Sequence, residues 1–161
     1  MPHGTDFKTL DFRDIEGLSR AITVEFTAWS NEIEVTQEMI DEFSRLSGDD
    51  YWIHSDPVRA QAESSYGTTI AHGMLVQSLM GRVKVNMPVE ITGFRNMVNY
   101  GSDRVRYPSP VLVGSRIHGR CRIKQVRAVD AGTLVTLEMH MNVIGSEKPS
   151  VINDLLVLYM S

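Results

Sequence analysis

Asp49 and His54 could move a proton between them, being a carboxylate and an imidazole five positions apart in the turn-rich stretch GDDYWIHSDP. Eighteen positions after His54, His72-Gly73 opens a run whose apolar residues would cover most of a helix. An imidazole with an ordinary pKa near ~6.5 is matched to proton transfer at neutral pH. A helix N-terminus offers unpaired N–H groups to a developing negative charge. Taken singly, each residue has a plainer reading. Asp49 could be a turn or capping residue, His54 a hydrogen-bonded structural histidine, and Gly73 a glycine needed for close packing.

Regular structure would keep the pair apart. Five residues turn about 500° on a helix, which leaves the two side chains about 140° apart. An odd separation on a strand puts them on opposite faces. They converge only if residues 50–53 are irregular. The flanks favour that. Thr36 reads as an N-cap, with Glu38 in the first turn and Met39, Ile40, Phe43 and Leu46 as an apolar stripe. Gly48 supplies a left-handed exit, so Asp49 lies just beyond a helix end. Asp56-Pro57 reads as N-cap and first residue of a short helix to Glu63, and Gly67 marks the loop that follows. From Ala71 to Val85 the pattern predicts one long buried helix, stopped by Pro88.

The rest reads as β. Ile22–Trp29 and Ile33–Val35 are short strand candidates, Val98–Tyr107 a strand kinked at Gly101, and Val151–Met160 a final apolar strand. Ser115–Ala128 and Leu134–Ile144 alternate well. A hairpin centred on Ala131 would pair Lys124 with Glu138 and Cys121 with Met141. The row Arg116, His118, Arg120, Arg122 and Lys124 then forms a solvated strand face. Residues 1–20 are polar and unperiodic and predict an irregular extension. Helices early and antiparallel strands late give an α+β class, a sheet wrapped on one helix.

Bulk properties narrow the partners. A chain of 161 residues fits one domain, spanning 1–161. A net charge of −4 argues against a general nucleic-acid binder. The single cysteine, Cys121, allows no internal disulfide and suits a reducing compartment, and no apolar run reaches the ~20 residues of a membrane span. The first residues carry acids and lack an apolar core, so no signal peptide is read, and a cytoplasmic location is expected. No GxSxG elbow, zinc-spaced Cys/His cluster or phosphate loop is present.

LSGDDYWIHSDPVRA followed by AHGML resembles the hydratase-2 signature of the MaoC-like hotdog proteins, the (R)-specific enoyl-CoA hydratases. NYGSDRVRYPSPVLVGSR, from Asn99 to Arg116, is similar to the nodulation-protein-N branch. The resemblance runs from about Ile33 to Tyr159. It implies a hotdog fold and a homodimer with the acyl site near the subunit interface. It also implies a fatty acyl-CoA thioester substrate, no cofactor and no metal. It makes Asp49 and His54 the acid–base pair and Gly73 the oxyanion donor. Tyr51, Trp52, His72 and Asn99 become substrate-binding candidates. The implied reaction is reversible hydration of trans-2-enoyl-CoA to (R)-3-hydroxyacyl-CoA. The alternatives are a non-catalytic acyl-CoA-binding hotdog protein and a 3-hydroxyacyl-carrier-protein dehydratase. Two departures stand out. Tyr51-Trp52 replaces the commoner Asn-Pro, and Gly81 stands where short-chain hydratases carry a serine.

Overall fold

The computed structural model describes residues 8–161. The chain runs β1 (Thr9–Asp11), α1 (Ile15–Ser19), β2 (Ile33–Glu34), α2 (Gln37–Ser47), α3 (Trp52–Ser55), α4 (Pro57–Glu63) and α5 (Gly73–Ser78). A 3-10 turn (Leu79–Gly81) follows, then β3 (Glu90–Thr92), β4 (Asn96–Arg106), β5 (Arg116–Val129), β6 (Gly132–Val143) and β7 (Val151–Met160). Five strands form an antiparallel sheet in the order β2-β5-β6-β7-β4, and β1 pairs with β3 in a separate parallel ribbon. The α+β expectation holds. Leu75, Val76, Leu79 and Val83 pack with Ile117, Met141 and Val151 of the sheet, and Val35 and Ile40 close that core.

The central helix is much shorter than its apolar run. It ends at Ser78 and tightens into the 3-10 turn, and residues 82–89 are irregular. Gly81 and the β-branched Val83 and Val85 are poor helix formers. Their burial is achieved without a helix, because Val83 and Val85 sit against the sheet and the segment is tied laterally. Lys84 N donates to Asn31 Oδ1 at 2.6 Å, and Asn86 Nδ2 donates to the Ala28 and Trp29 carbonyls. An apolar run that meets two core clusters reads like one helix in sequence.

Other departures are local. Of the expected irregular extension, residues 1–7 lie outside the described residues. From Thr9 onward the segment is structured, and Leu10, Phe12 and Leu18 are buried core. Leu46, expected on the α2 stripe, is 86% exposed, and Ser44 is buried in its place. The hairpin turns at Asp130-Ala131, and a bulge at Lys124 shifts the register. Arg122 faces Glu138 and Cys121 faces Met139. Up to Ile123 the displacement is even and keeps side chains on their expected faces, but past the bulge the phase changes and Val126 joins Ile123 on the buried face. Burial pushes the Cys121 thiol up to about 11, so the lone cysteine is an inert core residue.

Residues 22–30 are not a strand, and the basic row is not simply solvated. The segment crosses β5 with irregularly spaced bonds, Thr27 N to the Cys121 carbonyl and Ser30 N to the Gly119 carbonyl, both 2.9 Å. It lays Phe26 and Trp29 over the row. Arg120 sits between them at 4.7 and 4.3 Å, and His118 stacks on Trp29 at 3.7 Å. Glu138 and Asp154 face each other across β6 and β7, a repulsive pair unless cations intervene. They do. Arg122 and His140 bind Glu138, and Lys124 and Arg104 bind Asp154.

The network sets a pH response. Burial holds His140 below its ordinary value, against the opposing pull of Glu138, and burial likewise lowers His72 and His118. A buried neutral histidine contributes stability above its unfolded pKa of ~6.5, and that contribution is lost as pH falls. Glu138 and Asp154 are also lowered despite burial, because their cations hold them charged. Their contribution is lost only below ~4. The melting temperature is therefore expected to fall between pH 7 and pH 5, and more weakly in His140→Gln. A flat profile in the parent protein would contradict this.

Candidate functional site

Each turn around the site is set by a local rule. Gly48 takes a left-handed φ of 79°, which ends α2 and releases Asp49. Tyr51 caps α3 with its carbonyl, and Asp56 caps α4 by accepting from Arg59 N at 3.0 Å. The single turn of α3 carries His54, so the chain between Asp49 and His54 is irregular only up to Tyr51. Residues 69–71 run beside 111–113, with Val113 N donating to the Thr69 carbonyl at 3.0 Å and Ala71 N to the Val111 carbonyl at 2.8 Å. This fixes the Ile70 carbonyl. Gln37 ties the two segments together. It donates to the His54 carbonyl at 2.9 Å and accepts from Thr69 Oγ1 at 2.5 Å.

Three side chains converge. Nitrogens of His54 and His72 and a carboxylate oxygen of Asp49 all lie within 4.8 Å of one another. His54 Nδ1 donates to the Ile70 carbonyl at 2.7 Å. A neutral His54 therefore carries its proton on Nδ1 and presents a bare Nε2 lone pair. His72 is 3% exposed and stacks under His54 with ring centroids 3.9 Å apart. Its Nε2 donates to the Asp49 carbonyl at 2.9 Å, and Phe43 lies against the ring at 4.9 Å. Burial, helped by the nearby His54, lowers the His72 pKa. His72 thus fixes the backbone at Asp49 and supports the His54 ring, a hydrogen-bonding job at the helix start.

Gly73 is the first residue of α5, so its N–H has no acceptor within the helix. His54 and Gly73 line one cavity of about 280 Å³, with Val76, Tyr107 and Val111 among its other walls. The Tyr107 ring lies over the glycine, and a Cβ added there would meet it at 2.6 Å. Tyr107 Oη donates to Gln77 Oε1 at 2.6 Å. Tyr107 and Gln77 were invisible to sequence reasoning. The first lies thirty-four positions from Gly73 in a Pro-flanked turn, and nothing local marks it as a neighbour.

The structure brings Asp49, His54, His72 and Gly73 together. It places the other candidates farther out. Tyr51 is 58% exposed, with its ring 5.8 Å from Trp52. Trp52 carries the Arg59 guanidinium at 4.4 Å. Asn99 lies on β4 and lines a second cavity of about 650 Å³ on the other side of α5, together with Gly81. A Cβ at Gly81 would meet nothing within 4 Å, so packing does not require that glycine.

A curled antiparallel sheet packed on a short buried helix, with a histidine–acid cluster at the helix start, defines an α+β hotdog protein. Solved structures share that fold. R-hydratase PhaJ1 from Pseudomonas aeruginosa superposes with a TM-score of 0.65 at 18% identity, covering 85% of this chain and 81% of that one. The (R)-hydratase from A. caviae gives 0.64 at 21%, covering 84% and 97%. Residues 23–143 match the family model described as MaoC like domain. Among curated relatives, 3-hydroxyacyl-thioester dehydratase Z of Mycobacterium tuberculosis is 37% identical over 133 residues, 82% of this chain and 87% of that protein. Nodulation protein N of Rhizobium meliloti is 38% identical over 115 residues, 68% and 71% of the two chains. The chain belongs to the MaoC-like dehydratase family, enzymes of the hydro-lyase class. No helix among the described residues is long and apolar enough to cross a membrane.

Proposed function

We propose that this protein adds water reversibly across the double bond of a trans-2-enoyl-CoA, giving the (R)-3-hydroxyacyl-CoA. One observation carries the reading. A ring nitrogen of His54 lies within 4.8 Å of an Asp49 carboxylate oxygen, Nδ1 is engaged by the Ile70 carbonyl so that Nε2 is the nitrogen left for water, and His54 shares a cavity with Gly73.

In this reading Asp49 and His54 hold one water. The water oxygen bonds to C3 as one of its protons passes to His54 Nε2, and the Asp49 carboxylate accepts a hydrogen bond from the other. Electrons of the C2–C3 π bond move onto the thioester oxygen, where the Gly73 N–H donates to the charge. His54 Nε2–H then returns the proton to C2. One water is added, and both side chains end as they began. Aligned polar groups that meet charge only as it develops lower the barrier most. No electron or group is transferred, so the chemistry needs no cofactor. The donor cluster also suits a cation poorly. The two imidazoles are stacked, so their in-plane lone pairs do not converge on one point, and one nitrogen of each ring donates to a carbonyl.

The test is purified protein with crotonyl-CoA and longer enoyl-CoAs, followed by loss of the enoyl absorbance and chiral analysis of the alcohol. The (R)-product is expected. Binding of acyl-CoA without turnover at any chain length would instead favour a non-catalytic hotdog protein.

The active species in this reading is a homodimer. β4 is the edge of the sheet, and its Met97, Val98 and Tyr100 are all more than 40% exposed. A long unpaired edge that exposes apolar side chains is a template for another strand. Sedimentation is expected to give twice the 18.1 kDa chain mass. A monomer at working concentration would count against the dimer.

A further inference from the structure

The larger cavity holds an amide that the fold does not use. Asn153 lies on the inward face of β7 and is 0% exposed. Neither its Nδ2 nor its Oδ1 has a hydrogen-bond partner among the described residues. Its ladder neighbours are Met139 on β6 and Val105 on β4, which offer no strong partner. Asn153 nonetheless lines the 650 Å³ cavity, whose other walls include Met80, Met139 and Leu155 and the polar Asn99 and Ser102. An unpaired buried amide is costly, whereas an apolar residue of the same size costs nothing there. At 0% exposure no water-sized group touches the amide as the side chains lie, so a partner entering the cavity reaches it once a flexible wall residue such as Met80 or Met139 shifts.

The cavity adjoins the candidate site. One side of α5 turns Gly73 and Val76 to the histidine cavity, and the other turns Met74, Gln77 and Ser78 to this one. The Tyr107–Gln77 hydrogen bond lies between the two spaces. Phe43, a wall of the larger cavity, touches the His72 ring. A thioester held at Gly73 therefore has this space within one helix width.

We propose that Asn153 reads a polar group on the substrate's acyl chain, so that the thioesters taken by this protein carry an oxygen function rather than a plain hydrocarbon tail. A hydroxyl fits best, since it can donate to Oδ1 and accept from Nδ2. This rests on the hydration reading above and narrows its substrate class. A site built to pair a hydroxyl rejects the analogue that lacks it, because its own polar atoms are then stranded.

The experiment compares enoyl-CoAs of matched length with and without a distal hydroxyl. Turnover is measured on these pairs, and binding by melting-temperature shift on the saturated esters. The parent protein is expected to favour the hydroxylated member by about 10- to 100-fold in kcat/KM. Asn153→Leu should erase or invert that ratio and raise the melting temperature of the free protein. Asn153→Ser, less demanding sterically, should reduce the ratio. An equal ratio in parent and Asn153→Leu overturns the proposal. So does a lowered melting temperature with the ratio intact, or a change confined to dimer affinity, because either assigns the amide to structure. The two readings fail separately. An Asn153-dependent hydroxyl preference in binding without turnover sinks hydration alone. Turnover of plain chains with no effect of Asn153→Leu sinks this inference alone.

Discussion

Asp49→Asn and His54→Asn each slow hydration by about 10²- to 10⁴-fold, the usual worth of a positioned acid–base group, while the fold survives. Both changes keep approximate side-chain volume and remove proton chemistry. Asp49 is exposed, and its ordered neighbour contact is made by its backbone carbonyl, which accepts from His72 whatever the side chain. At position 54 the backbone carbonyl still accepts from Gln37. What is lost is the ring bond to the Ile70 carbonyl, the stack on His72 and the lone pair at Nε2. The two groups act on one water, so the double variant is expected to lose little more than the worse single one. Steady-state rates and melting curves on the three variants decide it. Parental rates in either single variant, or fully additive losses in the double, would break the shared-water mechanism.

The residues that were legible in the sequence are those whose roles are local. Thr36, Gly48, Asp56 and Pro57 act within a turn of their own positions, and each helix end they mark is where the structure has it. The alternation of β6, and of β5 as far as Ile123, was readable because period two survives any even slip in register, whereas the bulge at Lys124 breaks the phase and turns Val126 inward beside Ile123. The Asp49–His54 pair was readable through its spacing and its resemblance to a known signature. What failed depended on distance. Residues 22–30 have strand-like composition, yet their aromatic rings serve to cover Arg120 and His118. The apolar run after Gly73 reports burial, and burial alone does not distinguish a helix from a coil laid between two core clusters. His72 was ambiguous because its partner, the Asp49 carbonyl, carries no side-chain signal at all.

Gly73→Ala is expected to lose both stability and rate, and the two losses should separate in a second variant. The added Cβ would stand 2.6 Å from Cγ and Cδ2 of the Tyr107 ring, closer than packed carbons approach. The ring cannot simply slide aside. Its hydroxyl is bound to Gln77 at 2.6 Å, and Pro108 follows it with a fixed φ. Overpacking of this kind costs about 1–3 kcal/mol. Tyr107→Leu in the Gly73→Ala background removes the clash, so the melting temperature should return to that of Tyr107→Leu alone. The rate should not. If the glycine lets a thioester oxygen reach its N–H, the methyl group still blocks that approach, and one such donor is worth about 10²- to 10³-fold. Recovery of the Tyr107→Leu rate along with its stability would mean that Gly73 only makes room for a tyrosine ring, and the oxyanion role would have to move to another donor in the cavity.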